Sequence, residues 1–221
     1  MTTADCLDIS GRSIIAVIGC GGKTTLIEQL AIHCRNRRVL VSPTTKMFPL
    51  NVDGVSLSGR LNAETGKLEA LPEDELAALT PQYDMVLLEA DGSCGLPCKG
   101  WREDEPVVPG WCTHTAGIVT MSALGRSATL SVVHRLPEFL TLTGLREGAS
   151  ITLEALEAMI CAPHGMFKNS AGRKYLFVNQ VEDEQTACIA RKFLQDLRKK
   201  YPSFFTRLLY GSARQDAWSE V

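Results

Sequence analysis

Gly19-Cys20-Gly21-Gly22-Lys23-Thr24-Thr25 follows directly on the apolar run Ile14-Ile15-Ala16-Val17-Ile18 and leads into a helical pattern over residues 23–35. An apolar run that ends in glycines and passes into an amphipathic stretch reads as strand, tight turn and helix. Glycines let the backbone turn with its N–H groups facing inward, the helix adds the positive end of its dipole, and Lys23 adds a mobile cation. Together they form a socket for a polyphosphate. The spacing is G-x-x-G-K-T-T rather than the common G-x-x-x-x-G-K-[ST], because Val17 stands six residues before Lys23. A purely structural turn has little use for Gly21 beside Gly22, since each glycine at a helix entrance costs about 1 kcal/mol relative to alanine.

Beyond this loop, short apolar runs alternate with helical periodicity. Strands are predicted over residues 13–18, 39–41, 85–88, 118–121, 175–178 and 205–210, the last completing the sheet. Helices are predicted over 23–35, within the acidic stretch 67–80 that opens at Pro72, and over 134–143, 152–161 and 183–200. The alternation predicts an α/β fold: a doubly wound, mostly parallel sheet with helices on both faces, P-loop NTPase-like at its first turn. With 221 residues, 45% of them hydrophobic, the chain is expected to form one domain over 1–221 with a long Gly- and Pro-rich loop at about 91–113.

Composition narrows the function classes. The 23 Lys and Arg against 25 Asp and Glu leave a net charge of -2, with no basic stripe for a nucleic-acid backbone or an anionic membrane. No apolar run approaches the ~20 residues that span a bilayer, and Met1–Cys6 lacks an export signal, so a cytoplasmic protein with small-molecule or protein partners is expected. The eight cysteines are scattered and expected to be reduced. Cys20, Cys34, Cys161 and Cys188 sit in apolar segments and read as core residues. Cys94, Cys98, Cys112 and His114 form C-x3-C-x13-C-x-H, an irregular match to zinc spacing that leaves a metal or selenium carrier as an alternative role.

Further stretches along the chain carry chemistry. Met85-Val86-Leu87-Leu88-Glu89-Ala90-Asp91-Gly92 delivers two carboxylates to the carboxyl end of a buried strand, where open α/β sheets bind ligands. Residues two apart on a strand share a face, so Glu89 and Asp91, with Thr24, are expected to hold magnesium beside the phosphates, and Lys23, Glu89 and Asp91 are the catalytic candidates. The rival reading is an Asp-Gly hairpin turn. Thr44-Thr45-Lys46, after the second strand, faces the same crevice as a magnesium or phosphate contact, or else caps a helix. Asn179 and Glu182, with Ser212 and Ala213 after the last strand, read as base contacts, although Asn179 is also a common turn former. His134 and Arg135 offer charge to a transferring phosphate or an acidic ligand, or simply begin a helix. Lys99 and Arg102 lie in the long loop, where they could close over a bound nucleotide.

Several of these stretches resemble known elements. The shortened glycine-lysine loop resembles the ATP-binding loop of the Mur ligases, 85–92 resembles a Walker B strand, and Asn179-Gln180-Val181-Glu182 resembles the N-K-x-D element of GTPases, with Gln180 in place of the lysine and Glu182 in place of the aspartate. Val17–Thr25, Thr44-Thr45-Lys46-Met47, Glu89-Ala90-Asp91-Gly92-Ser93 with Gly95-Leu96-Pro97 and Lys99, Glu105-Pro106-Val107-Val108-Pro109 and His134-Arg135 together resemble the YqeC family over nearly the whole chain. That resemblance implies an accessory protein in maturation of the selenium-containing molybdenum cofactor of selenium-dependent hydroxylases, with a molybdenum hydroxylase or its cofactor as partner.

The residues and the resemblance together lead to a magnesium-dependent ATP- or GTP-binding protein, either hydrolysing or transferring its nucleotide. Gly19, Gly21, Gly22, Lys23, Thr24 and Thr25 would hold the phosphates. The alternative is a non-catalytic chaperone that holds a molybdopterin nucleotide in the same socket.

Overall fold

Every residue of the first apolar run is buried, and successive side chains enter two different cores. In a computed structural model, which describes residues 1–221, this run is strand β1, Ser13–Gly19. Ile14, Ala16 and Ile18 face one core and Ile15 and Val17 the other, as the two-residue period of a strand covered on both sides requires. Helix α1 (Lys23–His33) covers the second face with Leu26, Ile27, Leu30 and Ala31. Each such leucine or isoleucine contributes about 1.5–3 kcal/mol by leaving water.

Strand β2 (Val39–Pro43) precedes a stretch of short strands: β3 (Lys46–Met47), β4 (Val55–Leu57), β5 (Arg60–Leu61) and β6 (Leu68–Glu69). β3, β6 and β5 make a separate antiparallel sheet, whereas β4 extends the edge of the main one. Helix α2 (Glu73–Leu79) follows Pro72, with three acidic residues in its first turn where the helix dipole favours them. Strand β7 (Met85–Glu89) then enters the main sheet between β1 and β2.

The second half supplies β8 (Cys98–Lys99), β9 (His114–Thr120) and β10 (Val133–His134), helices α3 (Leu136–Thr143) and α4 (Leu153–Cys161), β11 (Arg173–Asn179), α5 (Glu184–Lys200), β12 (Arg207–Ser212) and β13 (Ala217–Glu220). The eight-stranded sheet runs β13-β12-β11-β9-β1-β7-β2-β4, parallel throughout except for the last pair, β12 and β13. Side chains of α3, α4 and α5, with Leu76 of α2, fill the core opposite α1. The fold is therefore α/β with a large, mostly parallel sheet and helices on both faces. β1 is central, with β7 and β2 on one side and β9, β11 and β12 on the other, so chain order reverses across it. A crevice at the carboxyl ends of the strands is the usual ligand position in such sheets.

The expected elements differ from the observed ones in four places. The predicted helix at 134–143 starts at Leu136, because Val133 and His134 pair with β8 in a two-stranded sheet. The strand expected at 118–121 is the end of the seven-residue β9. Residues 205–210 do not complete the sheet; β13 does, and it escapes a periodicity search because it is only four residues long with one buried side chain, Trp218. The long loop is not a loose lid either, since Cys98, Lys99, Trp101 and Cys112 within it are buried. No helix is long and apolar enough to cross a membrane.

Trp218 anchors the antiparallel edge. Its ring meets Phe177 edge-on at 4.9 Å and its indole N–H donates to Thr3 Oγ1 at 2.9 Å. Trp218→Ala should lower stability by about 3–5 kcal/mol in urea unfolding, the usual range for deleting a buried aromatic, and leave the secondary structure intact by circular dichroism.

Candidate functional site

At the carboxyl end of β1 the chain must turn sharply against its neighbours. Gly19 has φ 96°, and a Cβ there would lie 2.2 Å from the carbonyl oxygen of Ile118 on β9. Gly22 has φ 135°, and its Cβ would lie 2.3 Å from Asn179 Nδ2. Only glycine combines such backbone angles with so close an approach. Gly22 is the N-cap of α1; no side chain caps that terminus and no acidic residue sits in its first turn. The positive end of the helix therefore faces the crevice with nothing of opposite charge on its own first turn.

The Lys23 side chain is buried and folds back over the loop. Its ammonium donates to Gly19 O at 2.9 Å and Ser93 Oγ at 3.3 Å, and lies 4.0 Å from Glu89 Oε1. Thr24 Oγ1 donates to Glu89 Oε2 at 3.1 Å. Burial pushes the Glu89 carboxyl above its ordinary value, and Lys23 and the Thr24 hydroxyl oppose that rise. Lys23, Thr24, Thr25 and Glu89 line a cavity of about 830 Å³, together with Thr45–Phe48, Lys67, Gly92–Gly95, Glu105, His134, Arg135 and Gln180.

Asp91 does not share this wall. Strand β7 ends at Glu89, so the two-residue period that would set both carboxylates on one face does not continue. Asp91, 1% exposed, accepts the Gly19 N–H at 3.1 Å and the Trp101 indole N–H at 2.8 Å on Oδ2, and its Oδ1 pairs with the fully buried Lys99 ammonium. Asp91, expected as a magnesium contact, here ties the glycine loop to residues 99–101 and does not face the cavity. Lys99, expected to close over a nucleotide, donates to Gly92 O at 2.6 Å and lies 3.3 Å from Glu105 Oε2, inside the protein. Arg102 is an exposed residue whose backbone N–H points at Glu105, and it lies outside the cavity wall.

The remaining candidates are distributed as follows. Thr44 turns its hydroxyl to Val107 O at 2.6 Å and lies outside the main cavity, whereas Thr45 and Lys46 line it, Lys46 paired with Glu69 at 2.8 Å. Arg135 pairs with Glu105 at 2.7 Å, and burial together with the Lys99 and Arg135 charges lowers the His134 pKa. Asn179 donates to Gly21 O at 2.7 Å and accepts the Ala213 N–H at 2.8 Å, while Glu182 accepts the Ser212 hydroxyl at 2.9 Å. Asn179, Glu182, Ser212 and Ala213 line a second cavity of about 390 Å³ with Gly22, Thr25, Gln180 and Arg214; Gly22, Thr25 and Gln180 also line the first. Cys94, Cys98, Cys112 and His114 do not assemble: Cys94 is exposed, burial pushes the Cys112 thiol up to about 12, and His114 stacks on Tyr175. No group of three or more His, Cys, Asp or Glu side chains has metal-binding geometry.

Phe48, Lys67 and Arg214 escape a reading of motifs. Ser93 and Glu105 fall within the quoted stretches 89–93 and 105–109, where the motifs give neither a role.

The chain is thus an α/β protein whose central strand ends in a glycine-lysine turn, facing a cavity lined by two buried carboxylates, Glu89 and Glu105. The family model described as YqeC protein matches residues 15–137, which include the loop, β7 and His134-Arg135. A relative from Escherichia coli (strain K12), "Uncharacterized protein YqeC", is 31% identical over 213 residues, spanning 85% of this chain and 83% of that protein. The chain belongs to the YqeC family.

Two variants separate the carboxylates. Asp91→Asn removes one of the two carboxylates beside the buried Lys99 ammonium, leaving Glu105 at 3.3 Å, and should destabilise the fold by about 1–3 kcal/mol, measured by denaturant unfolding. Glu89→Gln acts in the opposite sense. Because the folded protein holds the Glu89 proton more tightly than the unfolded chain, the wild type loses stability as pH rises above the ordinary carboxylate range. Glu89→Gln should therefore be at least as stable as wild type at pH 7, and its advantage should disappear below about pH 4.

Proposed function

We propose that the protein binds a nucleoside triphosphate with magnesium in a P-loop NTPase-like site, and uses it in maturation of the selenium-containing molybdenum cofactor. The observation that carries the nucleotide reading is the conjunction at 19–25: an uncapped helix N-terminus, a buried lysine held beside it, and a cavity wall shared with a second cavity that ends at a carboxylate. Family membership supports the pathway.

The donor set suits magnesium. Thr24 and Glu89 offer one hydroxyl and one carboxylate, which with phosphate oxygens and water make the hard oxygen shell that this ion prefers. When bound, the ion would neutralise charge on the terminal phosphates. The buried Glu89 carboxylate, destabilised by desolvation in its absence, gains a cation there.

Lys23 supplies the mobile charge. Its two hydrogen-bond acceptors, Gly19 O and Ser93 Oγ, are neutral groups that a phosphate oxygen can replace with a stronger, charge-assisted bond, with Glu89 4.0 Å away. Asn179 braces the loop from behind and is engaged at both ends of its amide, so it fixes Gly21 and Ala213 rather than offering a free group. Glu182 is the acceptor in the second cavity. A carboxylate there favours a base edge with N–H donors, and guanine presents two such groups side by side.

Calorimetric titration of ATP and of GTP with magnesium tests this reading. Wild type should bind one of them, and Lys23→Ala should weaken that binding by at least about tenfold, the lower range for a charge-assisted hydrogen bond. A variant that binds both nucleotides as wild type does would refute the site.

A further inference from the structure

We propose that the part of the main cavity beyond the phosphate loop is a site for a second substrate, an anionic small molecule carrying a flat ring. The inference rests on the nucleotide reading above. A nucleotide whose base enters the second cavity and whose phosphates lie over residues 21–25 uses only one side of the main cavity. That cavity, about 830 Å³, is by itself as large as the site of a whole small ligand. The remaining wall has its own chemistry.

Charge is the first part of that chemistry. Lys23, Lys46, Lys67 and Arg135 line the cavity against only two carboxylates, Glu89 and Glu105, in a chain whose net charge is -2. Three of the four cations have carboxylate partners, in Glu89, Glu69 and Glu105. Lys67 has none: its ammonium lies 4.9 Å from the centre of the Phe48 ring. Arg135 also leaves its buried Nε without an acceptor, although its terminal nitrogen reaches Glu105. Two separate parts of the chain thus bring cationic side chains to one space, and the Lys67 ammonium there has no carboxylate partner.

Shape is the second part. Phe48 is 59% exposed at the cavity wall, immediately after β3, with Lys67 over its ring. An aromatic ring with open surface beside an ammonium that has no carboxylate partner is a platform for a planar group bearing negative charge. Water alone covers such a ring poorly, whereas a stacked ligand removes its apolar surface from solvent.

Phenyl phosphate, titrated into protein first saturated with magnesium and ADP or GDP and followed by NMR of the protein amides, tests the site. It should bind with the nucleotide in place, more tightly than inorganic phosphate does. Phe48→Ala and Lys67→Gln should each weaken phenyl phosphate by about fivefold or more, as loss of a stacking or charged contact would, and leave nucleotide affinity unchanged. Displacement of phenyl phosphate by the nucleotide, equal binding by both variants, or no binding beside a bound nucleotide overturns the second site alone. If neither ATP nor GTP binds in the calorimetric titration, the phosphate-loop reading falls and this site falls with it.

Discussion

Asp91 and Lys99 form an ion pair with no exposed side-chain surface, and the functional end of the molecule is organised around it. Burying each charge costs several kcal/mol, which the pair offsets only because further groups complete the coordination. Gly19 N–H and Trp101 N–H reach Asp91, while Gly92 O and Glu105 reach Lys99. Glu105 then holds Arg135 at the start of α3. A single connected set of charges thus ties the glycine turn after β1 to the segment after β7 and to the helix that follows β10. The pair determines position more than it adds stability, because its energy depends on every member being in place.

Around that set the parallel sheet determines which residues can meet. β1, β7, β2 and β11 all end at the same edge, so Lys23, Glu89, Thr45 and Asn179, far apart in sequence, converge there. The apolar side chains that hold these strands supply the stability, and the site places a buried carboxylate and a folded lysine against it. Such a site is less stable than an apolar substitute would be, the usual relation between stability and a functional crevice.

The fold was largely legible because buried parallel strands write themselves as continuous Val, Ile and Leu runs, and Ile14–Ile18 and Met85–Leu88 are of that kind. The short strands at 46–69 and the edge strand at 217–220 were not, since two- to four-residue strands have no period to detect and depend on tertiary pairing. Within the site, the glycine-lysine turn was legible from local chemistry alone. The assignment of Asp91 beside Glu89 was not, because strand periodicity says nothing about side chains beyond the last paired residue. Lys99, read as a loop lysine that could close over a nucleotide, is among the most buried side chains in the protein, a placement that required knowing where Asp91 points.

The sequence by itself determined the alternation of strands and helices, the sharp glycine turn after β1 and the family, since each rests on residues adjacent in the chain whose propensities and spacing act locally. Only the tertiary structure decided which carboxylate faces the cavity and which is consumed in holding the loop, and that Phe48 and Lys67 share a cavity with Arg135. Those outcomes depend on desolvation and on contacts between segments separated by dozens of residues, and such energies exist only once the sheet has brought the segments together.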